Sequence, residues 1–304
     1  MIVFSNGRKA RYFIASGALA FDGKGWLWER PLVWLGLIKP KLFTVVLKSL
    51  TLEPRKGNLR WWKPWRCVQL IQGGAVNKVG LTNKGFDWWM KKVAPKLDFK
   101  GQNIVVSIFG THEELVTMAD RLNTLDLTAI EVNVSCPNAD HASQVATIIN
   151  DCKVVNEVSR HPIILKVSYD QDYLAIAAGL TGVIEAISIN SVRWDVVFPG
   201  ERSPLWPLEK RVGGGGGGVS GYPAQKFNWS MAFKLAALKT IPVIVPSIMG
   251  KADLLRVEFF GAAVSFGAIH LPDKGKLWTL FTNPCKPTKI VIEDMRKRGE
   301  HIST

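Results

Sequence analysis

The residues best suited to chemistry stand at the ends of short, β-branched runs. They are Ala15-Ser16-Gly17, Lys48-Ser49, Asn133-Val134-Ser135-Cys136-Pro137-Asn138, Lys166, Asn190-Ser191 and Gly267-Ala268. Two lysines, several amides and one thiol, with few carboxylates, suit a polar, anionic, planar ligand. A hard metal ion wants clustered carboxylates, so no metal site is expected. Cys136, in a Ser-Cys-Pro-Asn turn, is a base or nucleophile if nearby cations lower its pKa, and otherwise a small buried hydrophobe. Lys166 lies on an apolar strand, where an unpaired ammonium is costly; it needs an anionic partner or a route to the rim. Lys48 poses the same choice. The six-glycine run 213–218, leading into Val219-Ser220-Gly221 ahead of a predicted helix, is either a phosphate cradle of backbone N–H groups or a flexible linker. The five histidines (112, 141, 161, 270 and 301) match no triad spacing. Cys67, Cys136, Cys152 and Cys285 show no CxxC spacing, which argues against zinc or iron–sulfur.

The elements that must position these residues alternate along the chain. Strands are predicted at 11–16, 43–48, 103–108, 129–134, 162–167, 184–190, 242–246 and 262–267. Helices are predicted at about 84–94, 112–124, 141–159, 170–180, 224–239 and 251–259. This strand–helix repetition, with eight strands, is the sequence form of a closed (β/α)8 barrel, in which strand ends converge on one mouth. A doubly wound open sheet is the alternative. Residues 49–76 read as a strand-loop-strand insertion. Residues 191–222, with Pro199, Pro204, Pro207 and the glycine run, read as a long loop without structure of its own, the kind that is usually functional. No boundary or repeat divides residues 1–304, so one domain is expected.

At 304 residues, 47% hydrophobic and 21% charged, the chain can bury a large core. No apolar run reaches the length of a transmembrane helix, and the N-terminus lacks a secretory signal; a reduced, cytoplasmic protein is expected. The net charge is +14, and residues 1–66 carry 13 Lys/Arg against 3 acids together with half of the 12 tryptophans. Basic residues interleaved with aromatics suit nucleic acid, a membrane surface, or a Trp-rich packing or dimer face. The segment WLWERPLVWLGLI (26–38), with Pro31 interrupting its helical pattern, is a candidate for docking on a membrane surface or a partner subunit.

The motifs ASGALAFDGKG (15–25), KSLTLEPRKGN (48–58), NKVGLTNKGFD (77–87), EVNVSCPN (131–138), ILKVS (164–168), INS (189–191) and GGVSG (217–221) carry a resemblance. From about residue 11 to 270 the chain resembles the dihydroorotate dehydrogenases, most closely their class 1 branch. The resemblance implies FMN across a barrel mouth, contacted by Ala15, Ser16, Gly17, Lys48, Ser49, Asn133, Lys166, Ser191, Gly221, Ser247, Ile248, Gly267 and Ala268. It implies that Asn77, Asn133, Asn138 and Asn190 hold the pyrimidine, with Ser191 beside them, and that Val79, Gly80 and Leu81 receive its carboxylate. Cys136 matches the base that takes the C5 proton of dihydroorotate while hydride passes to flavin N5. Lys166, with Lys48, matches the cation that stabilises the reduced flavin. The family's electron acceptors are fumarate, quinone or a flavin/iron–sulfur subunit that passes electrons to NAD, and a homodimer is ordinary for it. Departures from the family pattern are Pro246-Ser247-Ile248 in place of Gly-Gly, Ala268 in place of Thr, a short loop after Cys136, the Trp-rich insert and the glycine run. The competing readings are a related flavin enzyme acting on another dihydropyrimidine, a non-catalytic flavin- or pyrimidine-binding barrel, and, more remotely, a nucleic-acid-binding barrel.

Overall fold

The structure is a computed structural model that describes residues 1–60, 62–134, 145–212 and 214–300, with only the backbone described at 211 and 212. The eight predicted runs form eight parallel strands: β1 (Tyr12–Ile14), β2 (Thr44–Val46), β3 (Ile104–Ile108), β4 (Ala129–Asn133), β5 (Ile163–Val167), β6 (Ala186–Ile189), β7 (Val243–Val245) and β8 (Ala263–Phe266). They pair in chain order, and β8 closes on β1, giving a (β/α)8 barrel. Helices α1 (Phe86–Lys92), α2 (His112–Leu122), α3 (Val145–Val158), α4 (Tyr173–Gly179), α5 (Tyr222–Ala237), α6 (Lys251–Val257) and α7 (Lys286–Lys297) pack apolar residues against its outer face. The last of these was not among the predicted helices.

Side chains alternate along a strand, so residues two apart share a face. Phe13, Val46, Val105, Ala129, Ile164, Ala186, Ile244 and Ala263, one from each strand, form an apolar layer inside the barrel. Ile2, Phe4 and Ala10, from and beside the N-terminal hairpin Ile2–Val3/Lys9–Ala10, close that layer from below. Two residues further along five of these strands stand Ser107, Glu131, Lys166, Ser188 and Ser265. The interior thus changes from apolar to polar toward the C-terminal strand ends, which is the end where barrels of this kind build sites.

The insertion at 49–76 contains the expected strand pair, Val68–Ile71 and Gly74–Asn77. The reading of 191–222 as structureless is corrected. It contains Val192–Arg193, short helices Trp194–Val197 and Trp206–Val212, and the strand Gly218–Gly221. That strand pairs with both Gly74–Asn77 and Val192–Arg193, so the two insertions combine into one four-stranded sheet. Its glycines are a packing requirement: a Cβ on Gly74 would lie 2.0 Å from the Ser220 carbonyl oxygen. The glycine run does not lead straight into α5: the strand Gly218–Gly221, which takes in its last glycine, stands between them. The described part of the run is tied down. Lys78 Nζ donates to Gly214 O (2.7 Å), Glu209 accepts from Gly216 N (2.9 Å), and Ser203 donates to Gly216 O (2.6 Å). Pro31 does not interrupt a helix; it lies in the first turn of the five-residue helix Arg30–Trp34, where its missing N–H costs nothing.

Candidate active site at the barrel mouth

The floor of the mouth is a buried ion pair. Lys166 Nζ lies 3.1 Å from Glu131 Oε1, with side chains 12% and 3% exposed. Ser188 Oγ donates to the other carboxylate oxygen at 2.9 Å. Three adjacent strands hold the triad: β4 pairs with β5 and β5 with β6, and Ser188 lies directly beside Lys166 in register. Lys166 therefore takes the anionic partner that strand burial demands and does not snorkel to the rim. Glu131 and Ser188 were missed as site residues, although Glu131 stands two positions before Asn133, on the same strand face.

Above the floor, hydroxyls and an amide join the ends of β1 to β4. Ser16 Oγ donates to Leu47 O at 2.9 Å and lies 3.3 Å from Ser49 Oγ. Ser49 Oγ lies 2.8 Å from Ser107 Oγ and accepts from Asn133 Nδ2 at 3.0 Å. Asn133 pairs in register with Lys166. The Lys48 stem runs past the bare α-carbon of Gly17, where a Cβ would lie 3.6 Å from Lys48 Cγ, and its ammonium lies 5.6 Å from the centre of the Phe21 ring. Ala15, Ser16, Gly17, Lys48, Ser49, Asn133 and Lys166 thus share one polar surface.

The side sheet brings in a second group. Asn77 Nδ2 donates to Gly218 O at 3.3 Å, and a Cβ on Gly218 would meet Ser191 Oγ at 2.2 Å, so Asn77, Ser191 and Gly218 meet there. Asn190 continues from β6, its N–H bonded to Val167 O. Val79, Gly80 and Leu81 follow Asn77, with left-handed backbone at Gly80 (φ 67°) and Leu81 (φ 56°). The 52–59 loop clamps them. Asn58 N donates to Val79 O, Asn58 Nδ2 to Lys78 O, and Leu59 N to Thr82 Oγ1. Lys78 is buried behind this loop; burial lowers its pKa, and Glu209 opposes that shift.

The third group lies around the ends of β7 and β8. Strands Gly74–Asn77 and Gly218–Gly221 lie against the turn Ala268–His270, which gathers Gly221, Gly267 and Ala268. Ser247 holds a left-handed backbone (φ 63°), the conformation a glycine would supply. Its carbonyl accepts from Gln225 Nε2 and its hydroxyl from Asn228 Nδ2. Ile248 turns its side chain into the outer core. Asp253 accepts the N–H groups of Met249 and Gly250, so the start of α6 is already capped. The N–H groups of Ser247, Ile248 and Ala268 have no acceptor among the described residues. Cys136 and Asn138 lie outside the described residues. Burial raises the other thiols, Cys67 to about 11, Cys152 to about 12 and Cys285 to a lesser degree, so they are poor nucleophiles at neutral pH.

The fold and site define a closed (β/α)8 barrel whose C-terminal mouth carries Lys48, amides and hydroxyls over the buried Lys166–Glu131 pair. The family profile for dihydroorotate dehydrogenase matches residues 34–264. The chain belongs to the dihydroorotate dehydrogenase family. Similar curated proteins include the dihydroorotate dehydrogenase B (NAD(+)) catalytic subunits of Geobacter sulfurreducens, 30% identical over 240 residues (76% of each chain), and of Desulforamulus reducens, 30% identical over 269 residues (84% of this chain, 81% of that one). The subunit of the same name from Alkaliphilus metalliredigens is 29% identical over 273 residues, covering 86% and 83%.

Proposed function

We propose that this protein oxidises (S)-dihydroorotate to orotate in pyrimidine biosynthesis, using FMN. The observation that carries the reading is the register pairing of Asn133 with Lys166 at the mouth, directly above the Glu131 anchor, in a chain of this family. The residues present fit FMN. The unengaged N–H groups of Ser247, Ile248 and Ala268 suit its phosphate, and the left-handed Ser247 keeps the backbone shape that the family's glycine would give. When bound, FMN supplies hydride acceptance from C6 of the substrate. Cys136, as thiolate, takes the C5 proton, so that loss of a proton and a hydride leaves the C5–C6 double bond of orotate. Asn77, Asn133, Asn138 and Asn190 read the pyrimidine edge, because an amide offers both donor and acceptor without adding charge. Val79, Gly80 and Leu81 receive the carboxylate. Lys166 and Lys48 set a positive field where negative charge develops. The relatives' names, which carry NAD(+) and the word subunit, favour an electron-accepting partner subunit over fumarate or quinone.

Two consequences are testable here. Ser247→Val forces a β-branched side chain into the left-handed region, at a cost of roughly 1–3 kcal/mol or more. It is expected to lower the ratio of flavin to protein absorbance, whereas Ser247→Gly leaves that ratio intact; equal flavin content in both variants would rule out the cradle. Gly57→Ala brings a Cβ to 2.2 Å from Thr82 Oγ1 and 2.7 Å from the Val79 and Gly80 carbonyl oxygens. Because that loop receives the carboxylate, steady-state kinetics are expected to give a KM raised by about tenfold, with kcat changed less. An unchanged KM would remove 79–81 from the substrate site.

The deciding experiment for the function is the visible spectrum of the purified protein before and after anaerobic addition of dihydroorotate. A flavin band that bleaches supports the reading. A flavin band that ignores dihydroorotate but bleaches with dihydrouracil moves the substrate to another reduced pyrimidine, and no flavin band at all overturns the reading.

A further inference from the structure

We propose that segment 26–38 docks the protein on an anionic lipid bilayer surface. The segment is held rigidly from inside. Trp26 Nε1 donates to Gly17 O at the mouth, Trp26 N donates to the buried Glu29 carboxylate, Leu32 and Ile38 enter the core, and Lys39 N donates to Thr288 Oγ1 at the start of α7. Between these anchors, five large apolar side chains face outward: Leu27 (76% exposed), Trp28, Trp34 (89%), Leu35 and Leu37. They surround the short helix Arg30–Trp34 and the open turn at Gly36. Their exposure comes from fixed backbone.

The rim of this plate is cationic. Lys24 and Lys41 are exposed beside it, and the Lys39–Thr288 bond brings in the exposed Lys286 and Lys289 of α7. The acids of residues 22–41 are spoken for: Asp22 pairs with Arg30 (2.8 Å), and Glu29 is buried. An apolar plate carrying tryptophans and ringed by lysines complements the interface of an anionic bilayer, where tryptophan rings seat at headgroup level and lysines meet lipid phosphates. A second copy is a poor occupant, because a two-fold contact sets the lysine rim against itself. RNA is a poorer fit, since three of the five plate side chains, Leu27, Leu35 and Leu37, offer a base no ring to stack on, and only Trp28 and Trp34 do. No helix of the described residues is long and apolar enough to cross a membrane, so the contact is a surface one.

The test is co-sedimentation of the whole protein with phosphatidylcholine vesicles containing or lacking phosphatidylglycerol, at low and high salt. The expected result is binding to the anionic vesicles that weakens with salt, since charge attraction is screened within about 10 Å at 0.1 M. Trp34→Ser/Leu35→Ser and Lys39→Glu/Lys41→Glu are each expected to reduce partitioning by about tenfold or more while melting temperature is retained. No sedimentation with anionic vesicles at low salt overturns the proposal. So does binding that both double variants leave unchanged. A concentration-dependent dimer that Trp34→Ser/Leu35→Ser abolishes, without vesicle binding, reassigns the plate to a second copy.

Discussion

Cys136→Ala is expected to slow dihydroorotate oxidation by about 10²–10⁴-fold at neutral pH, the range a positioned general base contributes. Hydride transfer from C6 needs the C5 proton to leave, and neither the described thiols nor Glu131 is a comparable base. The described thiols are buried with raised pKa values. Glu131, the carboxylate nearest the floor, is engaged by Lys166 and Ser188. The measurement is the anaerobic rate at which the flavin band bleaches on mixing with dihydroorotate, with flavin content and melting temperature as controls. Cys136→Ser should retain part of the rate and move its optimum to higher pH, because a hydroxyl is far harder to deprotonate than a thiol. A rate within a factor of two of the parent in Cys136→Ala would remove the thiol from the chemistry.

Glu131→Leu is expected to destabilise the protein by about 3–5 kcal/mol, because it leaves the Lys166 ammonium buried without its counter-charge. For a chain of this size that corresponds to a fall in melting temperature of roughly 5–8 °C. The pair of changes Glu131→Leu/Lys166→Met should recover most of the loss, since two well-packed apolar groups replace a buried pair without an orphaned charge. The recovery is what separates an ion pair from mere packing: if the double variant melts no higher than Glu131→Leu alone, the coupling between the two residues is absent. A melting temperature unchanged in Glu131→Leu would mean that Lys166 finds water or another partner at no cost.

Much of this architecture was legible in the chain. Eight β-branched runs with helical stretches between them announced the barrel, and each run became a strand within a residue or two of its expected ends. Lys166 was legible as a residue in need of a partner, but the partner was not, because attention to strand ends passed over Glu131 two residues before the end of β4. Pairing distant in sequence was the larger gap. The stretch 191–222 reads as loop because proline and glycine dominate it, yet Gly218–Gly221 becomes a strand once Gly74–Asn77 lies alongside, a partner more than 140 residues away. Ser247 shows the opposite failure. Local preference argues against a left-handed serine, and tertiary bonds from Gln225 and Asn228 hold it there.

The hydrophobic stopper of Ile2, Phe4 and Ala10 gives the barrel the shape of a cup. With the axis plugged by apolar side chains, nothing passes through the barrel from end to end. Whatever binds at the mouth must arrive and depart on the side of the C-terminal strand ends, so the two insertions that make up the side sheet also border the route to the site.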